Sequence, residues 1–108
     1  QHSKPANSMN IESNETVLAV GGIAELAASN AAQVRDDVRA ALTDNHKTIE
    51  FDLSGTSFLD SSGLGTLISL HKTMAAREGA VKLVNPTPVA TQVLELTRMH
   101  RIFEIVRN

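Results

Sequence analysis

The chain has 108 residues, 42% of them hydrophobic and 20% charged, with a net charge of −2. That is the composition of one globular domain with a single core, and it gives no basic footprint for nucleic acid or an anionic membrane. Cysteine, Trp and Tyr are absent and aromatics total 3%, which excludes disulfides and thiolate chemistry and leaves almost no stacking platform for bases.

The opening "QHSKPANS" lacks the apolar segment of a signal peptide, and no later apolar run approaches the roughly 20 residues of a membrane span. Residues 1–8 are therefore expected to be a disordered tail or an expression remnant. A single domain is expected over residues 9–108, in the cytoplasm and without membrane insertion. "MNIESNETVLAVGG" holds two apolar stretches around "SNE", the second running from Thr16 to Val20, and reads as a hairpin. In "ASNAAQVRDDVRAALTDN", Val34, Val38, Ala41 and Leu42 recur at helical spacing, with charged residues between them as the solvated face. Ser29 or Asn30 is the expected cap and Asn45 helps to end the helix.

"KTIEFDLSG" alternates Ile49, Phe51 and Leu53 with Glu50 and Asp52, as a strand with one apolar face does. Thr48–Leu53 is expected at the sheet centre. The next helix should begin within Ser61–Gly63, bury Leu64, Leu67, Ile68 and Met74, and stop at Gly79. "AVKLV" is a short strand. Thr87 is placed to cap the following helix, with Pro88 at its first position and Val89, Val93 and Leu96 as its buried stripe. "RIFEIV" supplies the last strand. The order β-β-α-β-α-β-α-β predicts an α/β fold: one small domain with a mostly parallel sheet of four or five strands and helices mainly on one face.

Function in an open α/β sheet collects at the carboxyl ends of the strands. "SGTSFLDSSGLG" lies at such an end, between the central strand and its helix. Asp60, Ser61 or Ser62 can cap that helix by accepting one of its first unpaired N–H groups. A cap needs one oxygen, however, and three oxygen-bearing side chains stand in a row. Gly63 and Gly65 also fall in the first turn, where each costs roughly 1 kcal/mol relative to alanine. Close approach of a partner or a neighbouring strand would offset that cost. A helix N-terminus tolerates added negative charge, including a phosphate on serine.

Other chemistries fit poorly. The serines lack the Gly-x-Ser-x-Gly elbow of hydrolases, and no histidine stands in a motif that would bring a base to them. There is no Walker pattern and no Gly-x-Gly-x-x-Gly. Asp60 lacks the early acidic pair that would hold Mg²⁺ beside a phospho-accepting aspartate, since Glu25 stands alone. His2, His46, His71 and His100 show no metal spacing, with His71 and His100 reading as surface or cap residues. No metal, cofactor or catalytic residue is expected.

From Thr16 to about Ile105 the chain resembles the STAS domain, and most of all the free-standing bacterial anti-sigma factor antagonists. "D-S-S-G-L-G" after "F-L", between that strand and that helix, carries the likeness. The resemblance implies a partner switch, not an enzyme. The unphosphorylated domain would bind an anti-sigma factor that is also a serine kinase, and be released when Ser61, the first serine after the aspartate, is phosphorylated. A metal-dependent serine phosphatase would restore it. The implied partner-binding residues are Glu25, Asp60, Ser62, Gly63, Leu64 and Gly65. One departure stands out. The family often carries "G-x-L-D" after the second strand, and here "GGIAELAAS" places Leu26 at the Leu and Ala27 at the Asp, with Glu25 as a partial substitute. The alternative is a STAS module that works without phosphorylation, as a subunit of a transporter or signalling complex.

Overall fold

The computed structural model describes residues 9–108; the tail expected over residues 1–8 lies outside the described residues. In chain order the elements are β1 (Asn10–Asn14), β2 (Val17–Gly21), β3 (Glu25–Leu26), α1 (Ala31–Ala41), β4 (Thr48–Asp52), β5 (Phe58–Leu59), α2 (Ser61–Ala75), β6 (Ala80–Val84), α3 (Pro88–Leu96) and β7 (Glu104–Val106). The main sheet runs β1-β2-β4-β6-β7, antiparallel at β1–β2 and parallel elsewhere. β4 is central, as its apolar alternation implies. The hairpin turn places Glu15 at a φ of 53°, in the left-handed region that two-residue hairpin turns use to match the right-handed twist of their strands.

Register puts Leu18, Ile49 and Val81 in one row and Val20, Phe51 and Leu83 in the next. All six are buried, in one cluster with Val34 and Val38 of α1, Leu67, Leu70 and Met74 of α2, and Ala90 and Leu94 of α3. The three helices therefore share one face of the sheet. The opposite face carries Ala19, Glu50, Lys82 and Glu104 side by side, with Glu50 and Lys82 half-buried. Its polar residues need no cover.

Several readings of the sequence are corrected here. The stripe of α3 is rotated by one residue. Ala90 and Leu94 are buried, while Val89 is 47% and Leu96 77% exposed and Val93 only packs on the core's edge. The Thr87 hydroxyl donates to Thr56 O at 2.6 Å and accepts the Ala90 N–H at 3.2 Å. This tie to the loop before β5 sets which side of α3 faces inward. Asn30 occupies the cap position of α1 without a side-chain cap bond, and α1 ends at Ala41, four residues before Asn45. Finally, Glu78, not Gly79, takes the left-handed turn after α2, with φ 59°. Gly79 is needed because a Cβ would overlap Lys47 O. Ile68, expected in the core, is half-buried at its edge.

Candidate functional site

α2 begins at Ser61, directly after β5. Asp60 is its cap: Oδ1 accepts the Gly63 N–H at 3.0 Å. Oδ2 accepts a second N–H, that of Ala28, at 3.1 Å. The Gly63 N–H is the chief cause that lowers the Asp60 pKa below the ordinary aspartate value; partial desolvation opposes it and the Ala28 N–H adds to it. Asp60 is thus an anion held by N–H groups at the positive end of a helix. The cap leaves both serines unused. Ser61 and Ser62 are exposed, and Ser61 projects from the first position of a 15-residue helix.

The two glycines have separate roles. Gly63 is buried, and a Cβ there would overlap the Leu26 carbonyl oxygen and lie within 2.8 Å of Leu59 Cδ1. Gly65 is exposed, and a Cβ there would meet nothing within 4 Å. The expected close approach of a neighbouring strand therefore belongs to Gly63 and not to Gly65. Leu64 is also buried, 7% exposed. Gly63 and Leu64 shape the site from beneath, and Ser61, Ser62 and Gly65 form its surface.

Two features escape the sequence reading. β3 and β5 form a separate two-residue parallel ladder, Glu25 beside Phe58 and Leu26 beside Leu59. It brings the "GGIAEL" segment against the start of α2, with Glu25 exposed and Phe58 49% exposed. A two-residue strand has no periodicity to detect. The second feature is a set of buried side chains bonded to backbone. Asn30 Nδ2 donates to Glu25 O at 2.7 Å and its Oδ1 accepts the Ala27 N–H at 2.9 Å. The hydroxyls of Thr56 and Thr66 donate to Ile23 O and Ala31 O, at 2.6 and 2.7 Å. Ala27 itself is buried, so it presents no side chain at the surface.

Among the described residues no group of three or more His, Cys, Asp or Glu side chains could hold a metal ion; His2 lies outside the described residues. His46 is buried. Its Nδ1 accepts the Thr43 N–H at 2.9 Å, which leaves Nε2–H to donate to Ser13 Oγ at 2.8 Å and pins the hairpin to the loop before β4. His71 meets Phe103 edge to face. His100 lies with Nδ1 3.4 Å from Leu94 O.

The sequence profile of the STAS domain matches residues 8–108. The chain belongs to the STAS domain family. A curated relative, the anti-sigma F factor antagonist of Lysinibacillus sphaericus, is 33% identical over 66 residues, which is 60% of the STAS chain and 56% of the relative. The STAS chain thus spans little more than half the length of that relative. Among solved structures, a putative anti-sigma factor antagonist from Thermotoga maritima superposes with a TM-score of 0.82 at 24% identity, over 93% of this chain and 86% of that one. The anti-sigma factor antagonist SpoIIAA in its unphosphorylated form gives 0.80 at 22% identity, over 93% and 87% of the two chains. SpoIIAA of Bacillus in its phosphorylated form gives 0.73 at 22% identity, over 93% and 90%. These likenesses establish the fold: a small α/β domain with a mostly parallel sheet. Among the described residues no helix is long and apolar enough to cross a membrane.

Proposed function

We propose that this STAS domain is an anti-sigma factor antagonist that works by partner switching, with Ser61 as the switch. The observation that carries this reading is the bare Ser61 hydroxyl, exposed at the first position of α2 while Asp60 alone does the capping. Unphosphorylated, the domain binds an anti-sigma factor that is also a serine kinase. Ser62, Gly65 and Glu25 meet the partner, and the exposed Phe58, three residues before Ser61, supplies apolar area beside them. Phosphorylation releases the complex and a serine phosphatase resets it. The protein is a substrate and a switch and not an enzyme, and a cytoplasmic location goes with this role.

A phosphoserine carries about −1.5 to −2 charges at neutral pH. At a helix N-terminus that is favourable by up to roughly 1 kcal/mol, and the Asp60 carboxylate next door opposes it, so the fold is little affected. A partner packed over the hydroxyl must instead desolvate a dianion or face it with acidic groups, which costs several kcal/mol. The test combines phosphopeptide mass spectrometry on native protein, a pull-down of its partner, and titrations of wild type, Ser61→Ala and Ser61→Asp against that partner. Ser61→Asp is expected to bind about tenfold or more weakly with an unchanged melt, and Ser61→Ala to bind as wild type without being released. Ser62→Ala should still accept phosphate at Ser61. Tight binding by Ser61→Asp, or phosphate on Ser62 and never on Ser61, would overturn the assignment.

A further inference from the structure

The segment before α1 is held to the serine-bearing end of α2 by backbone bonds, Ser57 N–H to Ala24 O at 2.8 Å and Asp60 N–H to Leu26 O at 3.3 Å, and by side chains. The β3–β5 ladder has only two residue pairs. Thr56 ties the segment at Ile23, and Asn30, at the start of α1, braces Glu25 and Ala27 within it. The last tie is Asp60, whose two oxygens accept from two different pieces of chain: Gly63, three residues on, and Ala28, 32 residues away in sequence. A cap alone does not need a carboxylate, because Ser or Asn serves as well. Two N–H donors that reach two separate oxygens match a carboxylate, which when ionised has two acceptor oxygens and no donor.

We propose that Asp60 is a positioning residue that locks the Glu25–Ala28 segment to the α2 N-terminus, so that this segment and Ser61 reach the partner as one preformed surface. The lock removes the ordering cost that a loose segment adds to binding. It also gives the segment a fixed place although Ala27 offers no side chain to a partner. The statement about the partner rests on the switching function proposed above; the lock itself does not.

Asp60→Asn separates the two. Whichever way the amide turns, its NH₂ cannot accept, so one of the two N–H groups loses its partner. The lock is read by NMR on the protein alone. In wild type, the Gly63 and Ala28 amide shifts should follow one and the same carboxyl titration, and in Asp60→Asn neither should. Glu25 is the other carboxylate of this segment, and the first turn of α2 has no acidic residue, so Glu25→Gln is the control and should leave that titration in place. Amide exchange at Ala28 should accelerate about tenfold in Asp60→Asn, as loss of one hydrogen bond to a charged acceptor implies, with Leu67 and Leu70 unchanged. Ala28 shifts that follow no Asp60 titration, or exchange at Ala28 that is unaltered, would overturn the lock whatever the partner does. Against the partner identified for Ser61, Asp60→Asn should bind about tenfold more weakly. Unchanged affinity beside faster Ala28 exchange would overturn the preformed surface while leaving the Ser61 switch intact.

Discussion

A Cβ on Gly63 would overlap the Leu26 carbonyl oxygen, whereas a Cβ on Gly65 would meet nothing within 4 Å. The same substitution two residues apart should therefore change stability in opposite directions. Gly63→Ala forces backbone against backbone where no flexible side chain can give way, and should destabilise the fold by about 1–3 kcal/mol. Gly65→Ala adds a methyl in open space on a helix and should stabilise by about 1 kcal/mol through helix propensity. Urea denaturation of both variants checks this. A destabilised Gly65→Ala would show that the first turn of α2 is strained in a way the backbone does not reveal. If Gly65→Ala is more stable yet binds the Ser61 partner less well, the bare glycine serves the interface. Equal binding removes Gly65 from it.

Among the elements, α3 departs most from its sequence pattern. Val89, Val93 and Leu96 form the larger apolar stripe by letter, yet Ala90 and Leu94 face the core. The anchoring of Thr87 to Thr56 O and the small side chain of Ala90 decide the rotation. Leu94→Ala should cost about 2–5 kcal/mol, as full burial in a packed core implies. Leu96→Ala should stay within about 0.5 kcal/mol. Thermal melts that ranked the two the other way would restore the stripe read from the letters. α2 behaves differently: Leu64, Leu67 and Met74 are buried as their spacing implies, Ile68 stops at the edge of the core, and Leu70, outside that pattern, is wholly buried. The start of α1 shows a third case, in which a residue of capping type is diverted. Asn30 spends its amide on Glu25 O and the Ala27 N–H, because those buried polar groups would otherwise lack partners.

Among the described residues one sheet face carries the three α-helices, and the candidate site lies where the strand ends meet the start of α2. Asp60 ties this end of the domain together, and its effect on stability has a direction in pH. Its folded-state pKa is lowered, first by the Gly63 N–H. Such a group stabilises the fold above its unfolded pKa, and the contribution is lost as pH falls through the lowered folded value. Wild type should therefore lose more stability than Asp60→Asn on acidification below the ordinary aspartate range, while the difference between them stays constant near neutrality. Denaturant titrations of both proteins at several pH values check this, and parallel curves throughout would contradict it. Alternation in β4, helical spacing in α2 and the Thr87–Pro88 start of α3 make the layer architecture legible from residues alone. Each of these signals is local and repeats over several residues. "DSSGLG" likewise places the serines at a helix start, because a capping aspartate acts within its own turn. What the sequence by itself could not determine is which of two adjacent stripes of α3 turns inward, which glycine admits a carbonyl, and that Ala28 shares the Asp60 carboxylate with Gly63. These depend on contacts between residues about 30 positions apart, such as Thr56 with Thr87 and Ala28 with Asp60. Only the folded chain brings those groups within reach, so the tertiary structure alone decides them.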